Sequence, residues 1–165
     1  MAGVALSALA GTVLAFAPQG TAAAAHAARQ SDEAGVPRIV MTAEPATVAE
    51  AAALDQAVQA DSHGCSGNEV SNNSYVHVCF VRDGDKLYVK DDESNGRAAM
   101  GQIRFQDGGA VYDGFCPNSH TADSGIWVYC SVSRADEDTT VYYRGYDTAD
   151  GNGDHFTSWQ GESTS

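Results

Sequence analysis

The chain has 165 residues, room for one domain of ordinary size. Nine Lys and Arg against 22 Asp and Glu give a formal net charge of −13. So acidic a chain repels nucleic-acid phosphates and anionic lipid surfaces, and neither nucleic acid nor membrane is expected as a partner.

The first 28 residues carry no charged side chain. An apolar run from Ala2 to Ala17 ends at Pro18, and Ala22 to Ala27 then offers the small side chains that signal peptidase needs ahead of its cut. The positive n-region is missing, because no Lys or Arg precedes Arg29. A buried Ala-rich helix is the plainer alternative, but Pro18 and Gly20 would break it and it has no polar face. The run is also too short and too rich in Ala for a membrane anchor. These features predict a signal peptide over residues 1–27 and a secreted, extracellular protein.

Residues 28–63 read as a linker containing one short helix. Gly35, Pro37 and Pro45 punctuate a polar stretch, with Arg38 to Thr42 as a possible extended segment. Thr47 and Glu50 then form a capping-box pattern, and Val48, Ala51, Leu54 and Val58 share one helical face. A helix near 48–60 is predicted, ending before Gly64, docked loosely or serving as a spacer.

From residue 64 to 160 the pattern changes to alternation, aromatics and Gly/Asp/Asn turns. Tyr75 to Val81 reads as a strand, Asp83-Gly84 as a tight turn, and Lys86 to Lys90 as the returning arm of a hairpin. Further strands are expected at Ala99–Phe105, Val111–Phe115, Ile126–Val132, Thr139–Tyr146 and His155–Trp159. About seven short strands with turn residues between them predict an all-β, disulfide-stapled sandwich or barrel.

The four cysteines are Cys65, Cys79, Cys116 and Cys130. An even number in a small exported domain reads as a disulfide framework, and three pairings are possible. Cys65 to Cys79 and Cys116 to Cys130 are both 14 apart, so the two pairs are offset by 51. At that offset Tyr75–Val81 lies over Ile126–Val132, with Val two places after each Cys. We read this as an internal repeat, 65–115 and 116–160, with the bridges Cys65–Cys79 and Cys116–Cys130. Coincidence between two turn-rich β segments is the bland alternative. No CxxC pair exists, so metal binding by the cysteines is not expected.

No catalytic constellation stands out. The sequence has no G-x-S-x-G, no H-E-x-x-H and no phosphate-binding glycine loop. His77 falls mid-strand and His120 in a loop, where a satisfied or solvated histidine is the ordinary outcome. Carboxylates are abundant, but abundance does not place two of them at hydrolytic spacing. Asp150, Asn152 and Asp154 imitate the first ligands of a calcium loop. The imitation then fails, with His155 at the sharp-turn glycine and Gly161 at the last ligand, and a polar hairpin loop is the alternative. Any cofactor would be Ca2+ at those residues. Tyr142 and Tyr143 point to opposite faces of one strand, so one meets solvent or a neighbouring element. Beside Arg144 it would make a contact patch for a protein or sugar, although such tyrosines more often cover the rim of a core. Trp127 and Tyr129 share a strand face and are expected near the Cys116–Cys130 bridge.

Cys79 to Ala98, with Gly84-Asp85, Leu87, Val89, Asp91 and Asn95-Gly96 in order, resembles a group of small secreted proteins of Streptomyces and related actinobacteria. Cys116-Pro-Asn-Ser119 and Trp127-Val-Tyr-Cys130 extend the likeness over about residues 65–132. It implies a two-disulfide, β-rich exported protein and brings no activity with it. A looser likeness to the small two-disulfide α-amylase inhibitors of the same bacteria lacks their Trp-Arg-Tyr turn; Tyr143-Arg144 only echoes it. The expected function is a non-enzymatic, monomeric binding or interaction module for an extracellular protein or carbohydrate. A secreted hydrolase with paired carboxylates and an inhibitor of an extracellular enzyme are the alternatives.

Overall fold

Successive side chains on a strand face opposite ways, so each alternating run in this chain offers one apolar face to bury. A computed structural model describes residues 35–59, 71–72, 74–120, 125–149 and 152–164, all within one compact unit, Gly35–Ser165. The expected signal segment, residues 1–27, lies outside the described residues.

Eleven strands and one helix are described, in the order β1 (Arg38–Val40), β2 (Glu44–Pro45), α1 (Val48–Gln59), β3 (Ser71–Asn72), β4 (Val76–Val81), β5 (Lys86–Asp91), β6 (Ala99–Asp107), β7 (Ala110–Asn118), β8 (Trp127–Ser131), β9 (Thr140–Ala149), β10 (Asn152–Asp154) and β11 (Gln160–Ser163). They form two open sheets rather than a closed barrel. The six-stranded sheet runs β1-β7-β6-β9-β10, with β11 also on β9. The five-stranded sheet runs β2-β8-β5-β4-β3. Among the described strands, only the β1–β7 pairing is parallel.

Two differences from the predicted elements have simple causes. More than seven strands are described because β1, β2, β3, β10 and β11 are two to four residues long, too short for alternation to register. Residues 155–159 are not a strand; they cross between β10 and β11. Within the expected linker, the described residues 38–59 are tied to both sheets. β1 borders β7, β2 borders β8, and α1 packs on the five-stranded sheet.

The sheets face each other over Val76, Val78 and Phe80 from β4, Leu87 and Val89 from β5, Ile103 and Phe105 from β6, and Val141 and Tyr143 from β9. Closest approach is at two glycines. A Cβ on Gly101 would come 2.5 Å from Val89 Cγ2, and one on Gly145 would come 2.6 Å from Val78 Cγ2. The Cys116–Cys130 bridge joins β7 to β8 and so links one sheet to the other through this core. Closing a loop of that length contributes about 3 kcal/mol by chain entropy. Cys79 is also disulfide-bonded, and its expected partner Cys65 lies outside the described residues. Cys79 sits on the outer face of the five-stranded sheet, under α1, whereas Cys130 sits in the inter-sheet core.

The outer face of the five-stranded sheet is covered by the helix. Leu54 packs with Ala51 and Val58 against Tyr88 and Trp127. Trp127 therefore lies under α1, on the opposite side of β8 from the Cys116–Cys130 bridge, contrary to expectation. The capping box forms as predicted: the Glu50 amide donates to Thr47 Oγ1 at 3.2 Å, and the Thr47 amide donates to Glu50 Oε2 at 2.9 Å. Polar clips then fix the helix on the sheet. Glu50 Oε1 accepts from Lys86 Nζ at 3.0 Å and Tyr88 Oη at 2.8 Å, and Asp55 Oδ1 accepts from Lys90 Nζ and the Trp127 indole.

Two expectations follow. Gly101→Ala and Gly145→Ala should each destabilise the fold by about 1–3 kcal/mol, because a stiff valine must give way on the facing sheet. Matched denaturant midpoints would contradict this packing. The Thr47 hydrogen bonds, helped by Lys86 and Tyr88, hold the Glu50 carboxyl down from 4.5 to about 2. A depressed carboxyl stabilises the fold in full above its unfolded value, and the contribution is lost as pH falls through the folded one. Stability of the wild type should therefore drop more steeply than that of Glu50→Gln between pH 4.5 and about 2. Parallel curves in acid titrations followed by circular dichroism would contradict it.

Candidate binding surface

The outer face of the six-stranded sheet has a different character. Among the described residues no helix lies on it, and its two central strands present long polar and aromatic side chains. Opposite Gln102 and Arg104 on β6, the register places Arg144 and Tyr142 on β9; on the other side it places Phe115 and Asp113 on β7. Each of these faces outward because its strand neighbours, Gly101, Ile103, Gly114 and Tyr143, face the core.

The crossing segment 155–159 completes the surface. His155 takes a left-handed φ of 49°, which turns the chain out of β10. Thr157 then clips to β9 in both directions: its amide donates to the Gly145 carbonyl at 2.8 Å, and its hydroxyl accepts from the Gly145 amide at 2.7 Å. Fixed there, the segment sets Phe156 and Trp159 beside Arg144. The Arg144 guanidinium carbon lies 4.4 Å from the Phe156 ring centre and 4.5 Å from that of Trp159. Its Nε donates to Gln102 Oε1 at 2.8 Å.

The stack extends on both sides. Arg104 lies 5.7 Å from the Trp159 ring and makes a two-pronged pair with Asp113, at 2.7 and 2.8 Å. Phe156 meets Tyr146 at 4.8 Å, and Arg38 on β1 lies over Phe115 at 4.3 Å. Asp113 is nearly buried, so its charge is neutralised by Arg104 rather than by water. Tyr142 lies across from Gly161, where a Cβ would come 3.3 Å from its ring, and so covers a bare stretch of β11. On this face Phe156 is 48% and Tyr142 41% exposed.

The expected Tyr142–Tyr143–Arg144 patch is thus divided. Tyr142 and Arg144 lie together on the outer face, whereas Tyr143 is fully buried against Phe80 and contributes to the core. Phe156, Trp159, Arg104, Gln102 and Asp113 join the surface without having been singled out. Gln102 and Arg104 at alternate positions of β6 were the available signal, since they mark its outer face.

The suggested calcium loop is only partly within view. Asp150 lies outside the described residues, and the backbone of β10 pairs Asn152 with Ala149 and Asp154 with Asp147. Among the described residues, no three His, Cys, Asp or Glu side chains converge as a metal centre. His77 pairs with Asp92, and His155 stacks on Tyr75 at 3.9 Å with its Nδ1 3.2 Å from Asp147 Oδ2. Both histidines have structural partners. No family model matches this chain, and no curated protein or solved structure matches it either.

Proposed function

We propose that the protein is an exported binding module that engages an extracellular protein or carbohydrate through the outer face of its six-stranded sheet. One observation carries the reading: this face holds a rigid stack, Phe156–Arg144–Trp159–Arg104, with exposed Tyr142 beside it. Trp, Tyr and Arg are the side chains that dominate binding energy at interfaces, because they bring large contact area and directed donors at low entropic cost. Here they are held in place before any ligand arrives, so little ordering cost remains at binding.

Charge supports the same face. Arg38, Arg104 and Arg144 are three of only nine basic residues in the chain, and they gather on one sheet surface of a protein with net charge −13. The other sheet's outer face is occupied by α1 and cannot serve in the same way. Export, argued from residues 1–27, and kinship with the small actinobacterial secreted proteins belong to the same proposal. The paired cysteines suit an oxidising compartment.

The test has two probe arms, a panel of soluble polysaccharides in affinity electrophoresis and immobilised protein presented to spent culture medium. The wild type should bind in one arm, and Arg144→Ala and Trp159→Ala should weaken that binding by at least about tenfold, the ordinary cost of removing an interface anchor. Gln56→Ala, on the exposed side of α1, should bind like the wild type. Full binding by both face variants, or no binding in either arm, would overturn the reading.

A further inference from the structure

The inward-facing positions of the sandwich are apolar along most of its length and turn polar at one end. On β5 the inner series is Leu87, Val89 and then Asp91; on β9 it is Val141, Tyr143, Gly145 and then Asp147. On β7 it is Gly114, Cys116 and then Asn118. Three oxygen-bearing side chains from three strands thus replace hydrocarbon in the last inner layer.

Asn118 is fully engaged. It donates to the carbonyls of Val89 and Ile126, at 3.1 and 2.8 Å, and accepts the His120 amide at 3.2 Å. The two aspartates are not. Each is 3% exposed, and each has one oxygen bonded and one without a hydrogen-bond partner. Asp91 Oδ1 accepts the Glu93 amide, leaving Oδ2. Asp147 Oδ2 lies 3.2 Å from both Arg97 Nη1 and His155 Nδ1, leaving Oδ1. A buried carboxylate oxygen with nothing to bond is costly, and a second carboxylate nearby makes it worse.

We propose that Asp91 and Asp147 hold a divalent cation, Ca2+ by its preference for hard oxygen ligands, between the two sheets at this end of the sandwich. The cation would bond both orphaned oxygens and turn a repulsion into two attractions. Ala99, cross-strand from Asp147, is the small buried side chain beside it in the inner layer. Burial, together with Asp92, Asp147 and Glu93, pushes the Asp91 carboxyl up, which reports the same unmet negative charge. Arg97 and His155 offset part of that charge at the far oxygen of Asp147, while His77 and Lys90 are spent on Asp92. Calcium takes six to eight oxygens, so backbone carbonyls and water would complete the shell. This pair differs from Asp150, Asn152 and Asp154, although β10 brings the backbone of Asp154 directly across from Asp147.

The full chain, stripped of metal, is melted with and without Ca2+. With two carboxylates the affinity should fall in the range of about 0.1–1 mM typical of extracellular calcium modules. About 5 mM Ca2+ should then raise Tm by about 3–6 °C. Asp91→Asn should abolish the shift, and Asp92→Asn, whose side chain serves His77 and Lys90, should keep it. Should Asp91→Asn fail to fold, calcium binding by the wild type is measured directly by calorimetry. An unchanged wild-type melt with no binding heat would overturn the site. So would a full calcium shift in Asp91→Asn, which would place the ion elsewhere. A variant more stable than the wild type without calcium, coupled to no calcium response in either, would mean the two carboxyls share a proton instead.

Discussion

Everything else in this fold depends on how closely the two sheets approach each other at Gly101 and Gly145. At those points valines from the facing sheet occupy the space a side chain would take. That contact brings Val76, Val78, Leu87 and Val89 onto β6 and β9 and closes a dry core. It also decides what each outer face must do. One outer face carries Tyr88 and Trp127, apolar enough to need a cover, and α1 supplies it. The other carries arginines whose guanidinium groups lie over aromatic rings, a surface that can face water and still offer contact area.

The polar end of the inner layer follows from the same geometry. Alternation carries Asp91 and Asp147 inward just as it carries Val89 and Gly145, so two carboxylates enter the space between the sheets. Such groups do not help build a core; their place has to be explained by what they bond. Arg97, His155 and the Glu93 amide answer for half of their oxygens.

Much of this was legible in the sequence, and the failures are instructive. β4 and β5 were readable almost to the residue, because Val76, Val78 and Phe80 alternate and Asp83-Gly84 marks the turn. The Thr47–Glu50 box announced α1. β1 fell inside the extended segment suggested at 38–42, whereas β2 was not readable, since two residues cannot display a period. Trp127 lies on the other side from the one expected: it is three positions from Cys130, and a period of two sends them to opposite faces. Tyr142 and Arg144 were visible as a pair, but Trp159 and Phe156 were not. Their meeting with Arg144 depends on the β9–β11 register and on the Thr157 clip, both long-range pairings that no local pattern encodes.

The central claim is that the guanidinium–aromatic face of the six-stranded sheet is where a partner binds. Amide hydrogen exchange of the full chain, with and without the bound partner, tests it most directly. The account predicts new protection at 102–104, 142–146 and 156–159, with α1 unchanged. Protection confined to α1 and the strands beneath it would contradict the account.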